Sequence, residues 1–501
     1  MRTRRILRAF VSAMLFAVLQ SVTALDLNLG LMFTVQSDAA KPTTSSEPLR
    51  GCFNGGLYQK AGDFEFLWSV IVNNEKKYPA EALSGLSGSL SYYTENAGVK
   101  YQKDGIRLTL GQFANHDMVN SPYSLFISGV GHQAIMAEVQ VERGDFFYLD
   151  RWVGLNHNLQ QNLYFTGSSI DPSTSQYAGT ATVGNLYRDR GVALKSYGVQ
   201  KGPLRIGFQD ALLYTGEYFN IDTFVNPAPG WLVQYGANAV GRPWANTMDM
   251  NNMIGFFADY ATPKYYAYAQ VLIDDLVASK IVHPERLYYA PNKLAGSLGG
   301  TINTQAGTFG LYLAGATRFT FESVRNEFYS YTYYPGSAIV YGGELIGIPM
   351  EDLMIGYVNG ENNFASMVTW KKALPGAEVS GSLEFKLTGE QSPANPFHDQ
   401  VGVGPYDWFR WLDDPVLEKK LTLTTQASHD FGRIKVWFNG VAGYVWNRLE
   451  LVRVTAADSD VDTTTGEPLR EADGSEPLWR PSDESCFFGA LTVGLTYRLG
   501  L

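Results

Sequence analysis

The stretch VKYQKDGIRLTLGQF, residues 99–113, contains two alternating segments joined by an Asp-Gly pair. An Asp-Gly pair between such segments is typical of a two-residue β-hairpin turn. One face of the predicted hairpin carries Val99, Tyr101, Ile106, Leu108 and Leu110. The opposite face carries Lys100, Gln102, Arg107 and Thr109. The apolar face needs a cover, which is either the core of a β-sandwich or membrane lipid.

Both ends of the chain repeat this alternation. Near the N-terminus the apolar positions are Leu25, Leu27, Leu29, Leu31 and Phe33. At the C-terminus they are Leu491, Val493, Leu495, Tyr497, Leu499 and Leu501. A soluble domain rarely leaves an apolar strand at an open sheet edge, because such an edge invites aggregation. A closed barrel removes the edge by pairing the last strand with the first, so the pattern favours a barrel.

The composition agrees with a β-rich exported protein. Charged residues make up 18% of the 501 residues and aromatic residues 14%, with 51 glycines and 30 tyrosines. The formal net charge of -10 and the lack of a basic cluster argue against nucleic acid as a partner. After the N-terminal leader, no apolar run is long enough for a transmembrane helix. The remaining classes are a secreted β protein and an outer-membrane barrel.

Residues 1–24 are predicted to be a secretory signal peptide. Four arginines precede an uncharged apolar run over 9–19, and 22–24 reads Val-Thr-Ala, which suits signal-peptide cleavage after Ala24. The alternative, an N-terminal membrane anchor, would need a longer apolar run. Residues 25–501 are then expected to form one β-barrel in the outer membrane of a bacterium with two membranes.

Connections between the predicted strands alternate in length. Short turns are expected at 60–63, 103–105, 305–308 and 429–432, and long polar loops near 37–50, 216–250, 388–416 and 447–485. Short periplasmic turns and long extracellular loops are typical of outer-membrane barrels. With about 9–11 residues per membrane strand, we predict an all-β fold: a single transmembrane antiparallel β-barrel of roughly 16–18 strands.

Such a barrel encloses a lumen that water fills unless a plug occupies it. The nearest candidate for a plug helix, residues 80–86, has only a weak helical pattern. Aromatic residues are expected at strand ends, where they would form an interfacial girdle; the alternative is the core of a β-sandwich. These residues are Tyr92, Tyr93, Tyr265, Tyr266, Tyr331, Tyr333, Tyr334, Tyr444 and Trp446.

Residues 149–276 resemble the capsule-assembly Wzi family of outer-membrane barrels. The resemblance rests on LDRWVGLNHNLQQNLYFTG (149–167), GPLRIGFQDALLYTGEYFNI (202–221) and MDMNNMIGFFADYATPKYYAYAQVLIDDL (248–276). Leu155-Asn156 replaces the Pro-Gly that the family carries beside its Trp-Gly segment, and the family's periplasmic helical portion is not evident. The resemblance implies a non-enzymatic, lectin-like protein that holds capsular or other surface polysaccharide.

Candidate binding residues come from these motifs or from the predicted lumen face. They are Trp152, Arg205, Gln209, Tyr214, Gln270, Asp274 and Asp275. Arg205 and Gln209 share the polar face of one strand and are expected to line the lumen, either as binding residues or as ordinary solvated lumen residues. The two aspartates could bind sugar or a cation, but short carboxylates at a strand end also accept hydrogen bonds from turn amides. No cofactor is implied, and the expected partners are outer-membrane lipid, surface polysaccharide and the barrel-assembly machinery.

Two other functions remain open on the sequence. A general or solute-selective porin is supported by size and by the polarity of the lumen. An outer-membrane hydrolase is less well supported, since no nucleophile elbow or phosphate loop is present, although such enzymes assemble catalytic groups from separate strands. The six histidines show no metal-ligand spacing. The acidic loop 456–467 lacks the glycine and the glutamate of a calcium loop, and an ordinary surface loop is the simpler interpretation.

The only two cysteines are Cys52 and Cys486, near opposite ends of the chain. Each is predicted to begin a strand from the extracellular side, and those two strands would flank the first strand. Strand spacing puts their backbones about 10 Å apart, which flexible loop ends could bridge. A disulfide between them is therefore a hypothesis.

Overall fold

The computed structural model describes residues 24–37, 48–74, 90–157, 188–239, 250–276, 292–322, 330–335, 338–341, 344–391, 410–453 and 477–500. The predicted leader, the weak helical pattern at 80–86 and the acidic loop 456–467 lie outside these ranges. Within them, no helix is both long and apolar enough to cross a bilayer.

Most of the described chain is β-strand. The first strands are β1 (Ala24–Gln36), β2 (Leu49–Ala61), β3 (Phe64–Asn73), β4 (Ser91–Lys103), β5 (Ile106–Ala114), β6 (Gln133–Arg143), β7 (Phe146–Asn156), β8 (Arg190–Lys201), β9 (Leu204–Thr215), β10 (Met250–Ala261) and β11 (Tyr265–Asp275). The others are β12 (Lys293–Thr304), β13 (Gly307–Ala316), β14 (Ala338–Tyr341), β15 (Glu344–Gly347), β16 (Asn363–Leu374), β17 (Ala377–Thr388), β18 (Glu418–Phe431), β19 (Ile434–Trp446), β20 (Leu449–Arg453), β21 (Pro477–Pro481) and β22 (Cys486–Gly500). The helices within the described residues are α1 (Ile221–Val225), α2 (Gly230–Ala239) and α3 (Met350–Leu353).

Eighteen of the strands form one closed antiparallel barrel. Each barrel strand pairs with the next along the chain, and β1 pairs with β22 from Asp26↔Gly500 to Gln36↔Ala490. The closure predicted from the alternating chain ends is thus confirmed, and the strand count lies at the top of the expected range. The hairpins β14–β15 and β20–β21 lie in the loops and stand outside the barrel sheet.

The alternating side chains face the two sides that the sequence predicted. In the β4–β5 hairpin, Leu108 and Leu110 are exposed on the outer wall, whereas Thr109 is buried on the lumen side. Its turn residues Asp104 and Gly105 have φ values of 50° and 79°, the left-handed conformation that an Asp-Gly turn adopts readily. Outward apolar side chains recur on the other barrel strands, which gives the outer wall of an outer-membrane barrel.

Connection lengths also follow the predicted asymmetry. Tight turns join β2 to β3, β4 to β5, β12 to β13 and β18 to β19 at the predicted places, and four further tight turns lie on the same side. Long connections alternate with them, and these include 115–132 and 317–362, which the sequence pattern did not single out. By the rule for such barrels, the tight turns are periplasmic and the long loops extracellular.

The predicted disulfide is wrong, because Cys52 and Cys486 are not bonded to each other. Strand stagger is the reason. Cys52 lies opposite Gly30 of β1, and Gly30 lies opposite Thr496 of β22. Cys486 is ten residues away from Thr496 along β22, a separation of about 34 Å at the usual rise per residue. The two cysteines are thus at different heights along the barrel, although both strands begin on the extracellular side.

The last strand provides a direct test of the outer and inner faces. Val493 is 45% exposed on the outer wall, and Thr492 faces the lumen, where its hydroxyl lies 3.0 Å from that of Thr34. Val493→Arg is expected to cost about 2–4 kcal/mol of folding free energy, because it places a cation in lipid. Thr492→Arg is expected to be tolerated because water solvates its guanidinium. Unfolding titrations in vesicles would measure both, and equal losses would contradict the assigned faces.

Candidate functional site

One extracellular loop, residues 115–132 between β5 and β6, folds into the lumen. Its Asp117 accepts hydrogen bonds from the side-chain amides of Gln209 at 2.7 Å and Gln270 at 3.1 Å. The Gln270 amide also donates to Gln209 Oε1 at 2.6 Å. Asp117 further accepts the backbone amides of Phe126 and Ile127 at 3.0 and 3.1 Å. This carboxylate therefore fixes the loop to itself and to the barrel wall.

The same loop crosses the lumen to the opposite wall. The Tyr123 hydroxyl donates to Glu384 of β17, while Ser121 bonds the Tyr268 hydroxyl of β11. Arg205 of β9 forms an ion pair with Asp259 and also donates to a backbone carbonyl of the loop. These polar contacts reach three separate parts of the barrel wall and hold the loop across the lumen.

A second long loop, residues 317–362 between β13 and β16, packs on the first. The Tyr331 hydroxyl donates to the Phe126 carbonyl at 2.8 Å, and the Ser128 amide donates to the Ile355 carbonyl at 2.6 Å. Asp274 of β11 accepts the amide of Phe321 at 2.9 Å. Together the two loops form a plug, which we define as the described residues of 115–132 and 317–362.

The plug explains why three predicted girdle tyrosines are wrongly placed at strand ends. Tyr331 is fully buried inside the barrel, and Tyr333 and Tyr334 belong to the same loop. Burial raises the pKa of Tyr331 and Tyr357 well above the ordinary value for a phenol. The same effect of burial, reinforced by Glu384, raises the pKa of Tyr123. The plug tyrosines therefore stay neutral near pH 7 and can act as hydrogen-bond donors.

Another extracellular segment, residues 216–239, lies on the outside of the barrel. Trp152 of β7 donates its indole N–H to the Tyr218 carbonyl at 3.0 Å, and its ring meets Tyr218 and Phe219 edge-on. The Asn220 amide donates to the Tyr214 hydroxyl at 3.1 Å. The segment thus packs on the outward faces of β7 and β9, and α2 also contacts β10.

Beneath this segment lie three ionisable side chains that point outward from the wall. Asp150, Lys195 and Asp210 are neighbours in register on β7, β8 and β9, and each is at most 3% exposed. Lys195 Nζ lies 4.0 Å from the Asp150 carboxylate and donates to the Ala228 carbonyl at 3.0 Å. Asp210 accepts from Gly230 N at 2.9 Å and from Asn252 at 3.0 Å. We call these three residues the wall triad.

The part of the lumen beside β17, β18 and β19 is polar and contains two cavities. The cavity toward the periplasmic turns has a volume of about 420 Å³, and its polar lining is Glu378, Ser380, Gln426, Ser428, Lys435, Asn439 and Thr496. The other, which we call the mouth pocket, lies at the extracellular mouth of the barrel and has a volume of about 290 Å³. Both cavities border β17, β18, β19 and β22.

The mouth pocket combines amide, cationic and aromatic groups. Two lysines, Lys386 and Lys420, project from adjacent strands at positions directly opposite in register. Lys420 Nζ lies 4.9 Å from the centre of the Phe488 ring. Other polar and aromatic residues that line the pocket are Asn359, Gln391, Glu351, Glu418, Arg448 and Trp479.

One group of the mouth pocket is left without a partner. The indole N–H of Trp479 is buried and has no hydrogen-bond partner among the described residues. Gln391 donates to the Asn359 carbonyl at 2.7 Å, which orients one amide of the lining. Such a mixture of an aromatic ring, amides and charges suits a ligand that is rich in hydroxyl groups.

The seven predicted binding residues have partners within the chain. Gln209, Gln270, Arg205 and Asp274 hold the plug, and Trp152 and Tyr214 hold the outer segment. Asp275 lies 3.9 Å from Lys293. None of them lines the mouth pocket. The mouth-pocket residues were missed because they come from strands and loops far apart in sequence, and none carries a motif of its own.

No cluster of three or more metal-ligating side chains occurs among the residues that the structure describes. Of the histidines there, His157 Nδ1 lies 2.6 Å from the Asp189 carboxylate, and His132 bonds the Glu351 carbonyl at 2.6 Å. Neither arrangement resembles a metal centre.

Several solved outer-membrane proteins are similar to this chain. One is Wzi of Escherichia coli, described as an outer-membrane protein involved in group 1 capsule assembly and a carbohydrate-binding β-barrel, with 12% identity, a TM-score of 0.49, and coverage of 98% of this chain and 88% of that chain. Others are OccAB4 of Acinetobacter baumannii, with 10% identity, a TM-score of 0.43 and coverage of 95% and 98%, and OprD of Pseudomonas aeruginosa, with 11% identity, a TM-score of 0.41 and coverage of 95% and 95%. No protein-family model and no curated protein matches the chain.

Proposed function

We propose that this outer-membrane barrel binds surface polysaccharide at its extracellular mouth and attaches it to the cell without chemical turnover. The observation that carries the proposal is the mouth pocket, in which Trp479, the amides of Asn359 and Gln391, and two lysines converge. The sequence resemblance of residues 149–276 to the capsule-assembly Wzi family supports the same role.

The physical fit between pocket and sugar has two parts. An indole ring offers an apolar face to the C–H side of a sugar ring. Amides and ammonium groups bond hydroxyl or carboxylate oxygens. The plug lies beneath and beside this pocket through Met350 and Val358, so a polymer would meet a floor rather than a wide open pore.

Titration calorimetry with polysaccharide purified from the source bacterium would test this function. We expect Trp479→Ala and Lys420→Ala each to weaken binding about tenfold, which corresponds to about 1.4 kcal/mol. Lys435→Ala is the matched control, because that lysine lines the periplasmic cavity instead. Equal affinity in all three variants, or no binding by the wild-type protein, would refute the proposal.

A second candidate function is the passage of small solutes. It is favoured by the two cavities of about 290 and 420 Å³ that border the same polar strands. Planar-bilayer recordings distinguish the two functions. A steady conductance that a small solute blocks, without any glycan binding, would favour the porin.

A further inference from the structure

The segment 216–234 between β9 and β10 exposes an unusual amount of apolar surface. It leaves large apolar side chains uncovered, although it is an extracellular connection by topology. Phe219, Ile221, Val225, Trp231 and Leu232 are each between 40% and 62% exposed. The segment contains no lysine, arginine or histidine, and its two carboxylates, Glu217 and Asp222, are in its first half.

The depth of the segment in the membrane can be estimated from the position of β9, the strand that it covers. On β9 the outward positions from the periplasmic end are Leu204, Ile206, Phe208 and then Asp210. Each step adds about 5 Å of height, because strands rise about 3.4 Å per residue and tilt by about 40°. Asp210 therefore lies about 15 Å above the periplasmic end of the strand, within an apolar band that is about 25 Å tall in such barrels.

The segment descends along the wall and returns. It contacts Trp152 through Tyr218, reaches lower to Tyr197, whose hydroxyl donates to the Pro227 carbonyl at 2.7 Å, and rises again to Met250. In β8 the chain runs toward the periplasm, so Tyr197 lies below Lys195. The stretch from Val225 to Trp231 is consequently the deepest part, at the level of the wall triad.

From this geometry we infer that the segment 216–234 dips into the outer leaflet, with Glu217 at its upper, aqueous end and the exposed apolar side chains from Val225 to Leu232 in contact with lipid acyl chains. At this height the segment covers the outward face of β7, β8 and β9, so that the segment contacts lipid in place of the strands. Below it, the same strands return to ordinary lipid-facing residues, including Ile206 and Val199, which are 47% and 52% exposed. The apolar surface is continuous from the wall onto the segment, and the wall triad is shielded from hydrocarbon.

The occupant of this surface is lipid rather than water or a second copy of the chain. Water would leave five large apolar side chains hydrated on one short segment, and a copy of the chain would need a complementary surface at the same depth. Lipid satisfies both the composition of the segment and its level in the wall.

Site-directed spin labelling of the full chain in phosphatidylethanolamine and phosphatidylglycerol vesicles tests the inference. A variant with Cys52→Ala and Cys486→Ala would carry one new cysteine at a time, at Val225, at Glu217 or at Phe256. Phe256 is an outward β10 residue that is 57% exposed and serves as the lipid reference. Heat-modifiable migration on gels would confirm that each labelled barrel is folded.

We expect the label at Val225 to collide with oxygen and avoid an aqueous nickel chelate, as at Phe256. The label at Glu217, higher on the same segment, should have an oxygen-to-nickel accessibility ratio several times lower. A water-like ratio at Val225 would overturn the inference. So would protection from both reagents with spin–spin broadening, which would indicate contact with a second copy.

Discussion

Lys195→Met is expected to destabilise the barrel by about 3–5 kcal/mol, the usual cost of removing one partner from a buried ion pair. The substitution leaves Asp150 and Asp210 buried on the outer wall without the cation between them. The Ala228 carbonyl also loses its ammonium donor. Methionine fills a similar volume, so lost packing contributes little to the effect. Urea unfolding in vesicles, followed by tryptophan fluorescence, would measure the loss.

The matched control for this prediction is Lys201→Met, at the exposed periplasmic end of the same strand. Its effect should stay within about 0.5 kcal/mol, as for most surface substitutions. Adding Asp150→Asn to Lys195→Met should restore part of the stability, because it removes one of the uncompensated charges. If Lys195→Met and Lys201→Met cost the same, the wall triad has no electrostatic role in holding the segment.

Asp117→Ala is expected to open the lumen. Removing the carboxylate leaves the amides of Gln209 and Gln270, together with two backbone amides of the loop, without their acceptor. A hydrogen bond to a charged group contributes about 1.5–3 kcal/mol, so the loop loses several kcal/mol of tethering free energy. Single-channel conductance in planar bilayers should rise severalfold, with frequent gating between levels as the loop moves.

Glu142→Ala is the control, since Glu142 is an exposed carboxylate at the periplasmic end of β6, beyond the reach of the plug. It should leave conductance unchanged. A folded Asp117→Ala barrel with wild-type conductance would show that Tyr123, Ser121 and the second loop hold the plug without this carboxylate. Thermal unfolding of both variants would separate an opened lumen from a damaged barrel.

The faces of the barrel could be predicted from sequence wherever a strand meets lipid on one side and water on the other. That condition holds for β1, for residues 106–110 of β5 and for residues 491–499 of β22, where apolar residues occupy every outward position. It fails on β8, where Val192 and Leu194 face the plug and Lys195 faces the outer segment. Loops covering both sides of the wall reverse the usual polarity, so the alternation no longer identifies the faces.

The plug itself could not be predicted because its contacts join distant parts of the chain. Asp117 and Gln209 are 92 residues apart, and Tyr331 and Phe126 are separated by 205. No local pattern distinguishes a loop that folds inward from one that stays in solvent. The lumen-side placement of Arg205 and Gln209 followed from the strand pattern, whereas their partners in the plug could not be predicted from it.

The pairing of β1 with β22 has a consequence for biogenesis. Residues 26–36 cannot find their hydrogen-bonding partners at 490–500 until the whole polypeptide has been delivered to the membrane. Until then both edge strands of the unclosed sheet have unpaired backbone amides and carbonyls, which are energetically costly in the hydrocarbon core. Closure of the barrel is therefore expected to be the last step of insertion, and a chain that lacks β22 would leave β1 without its partner strand.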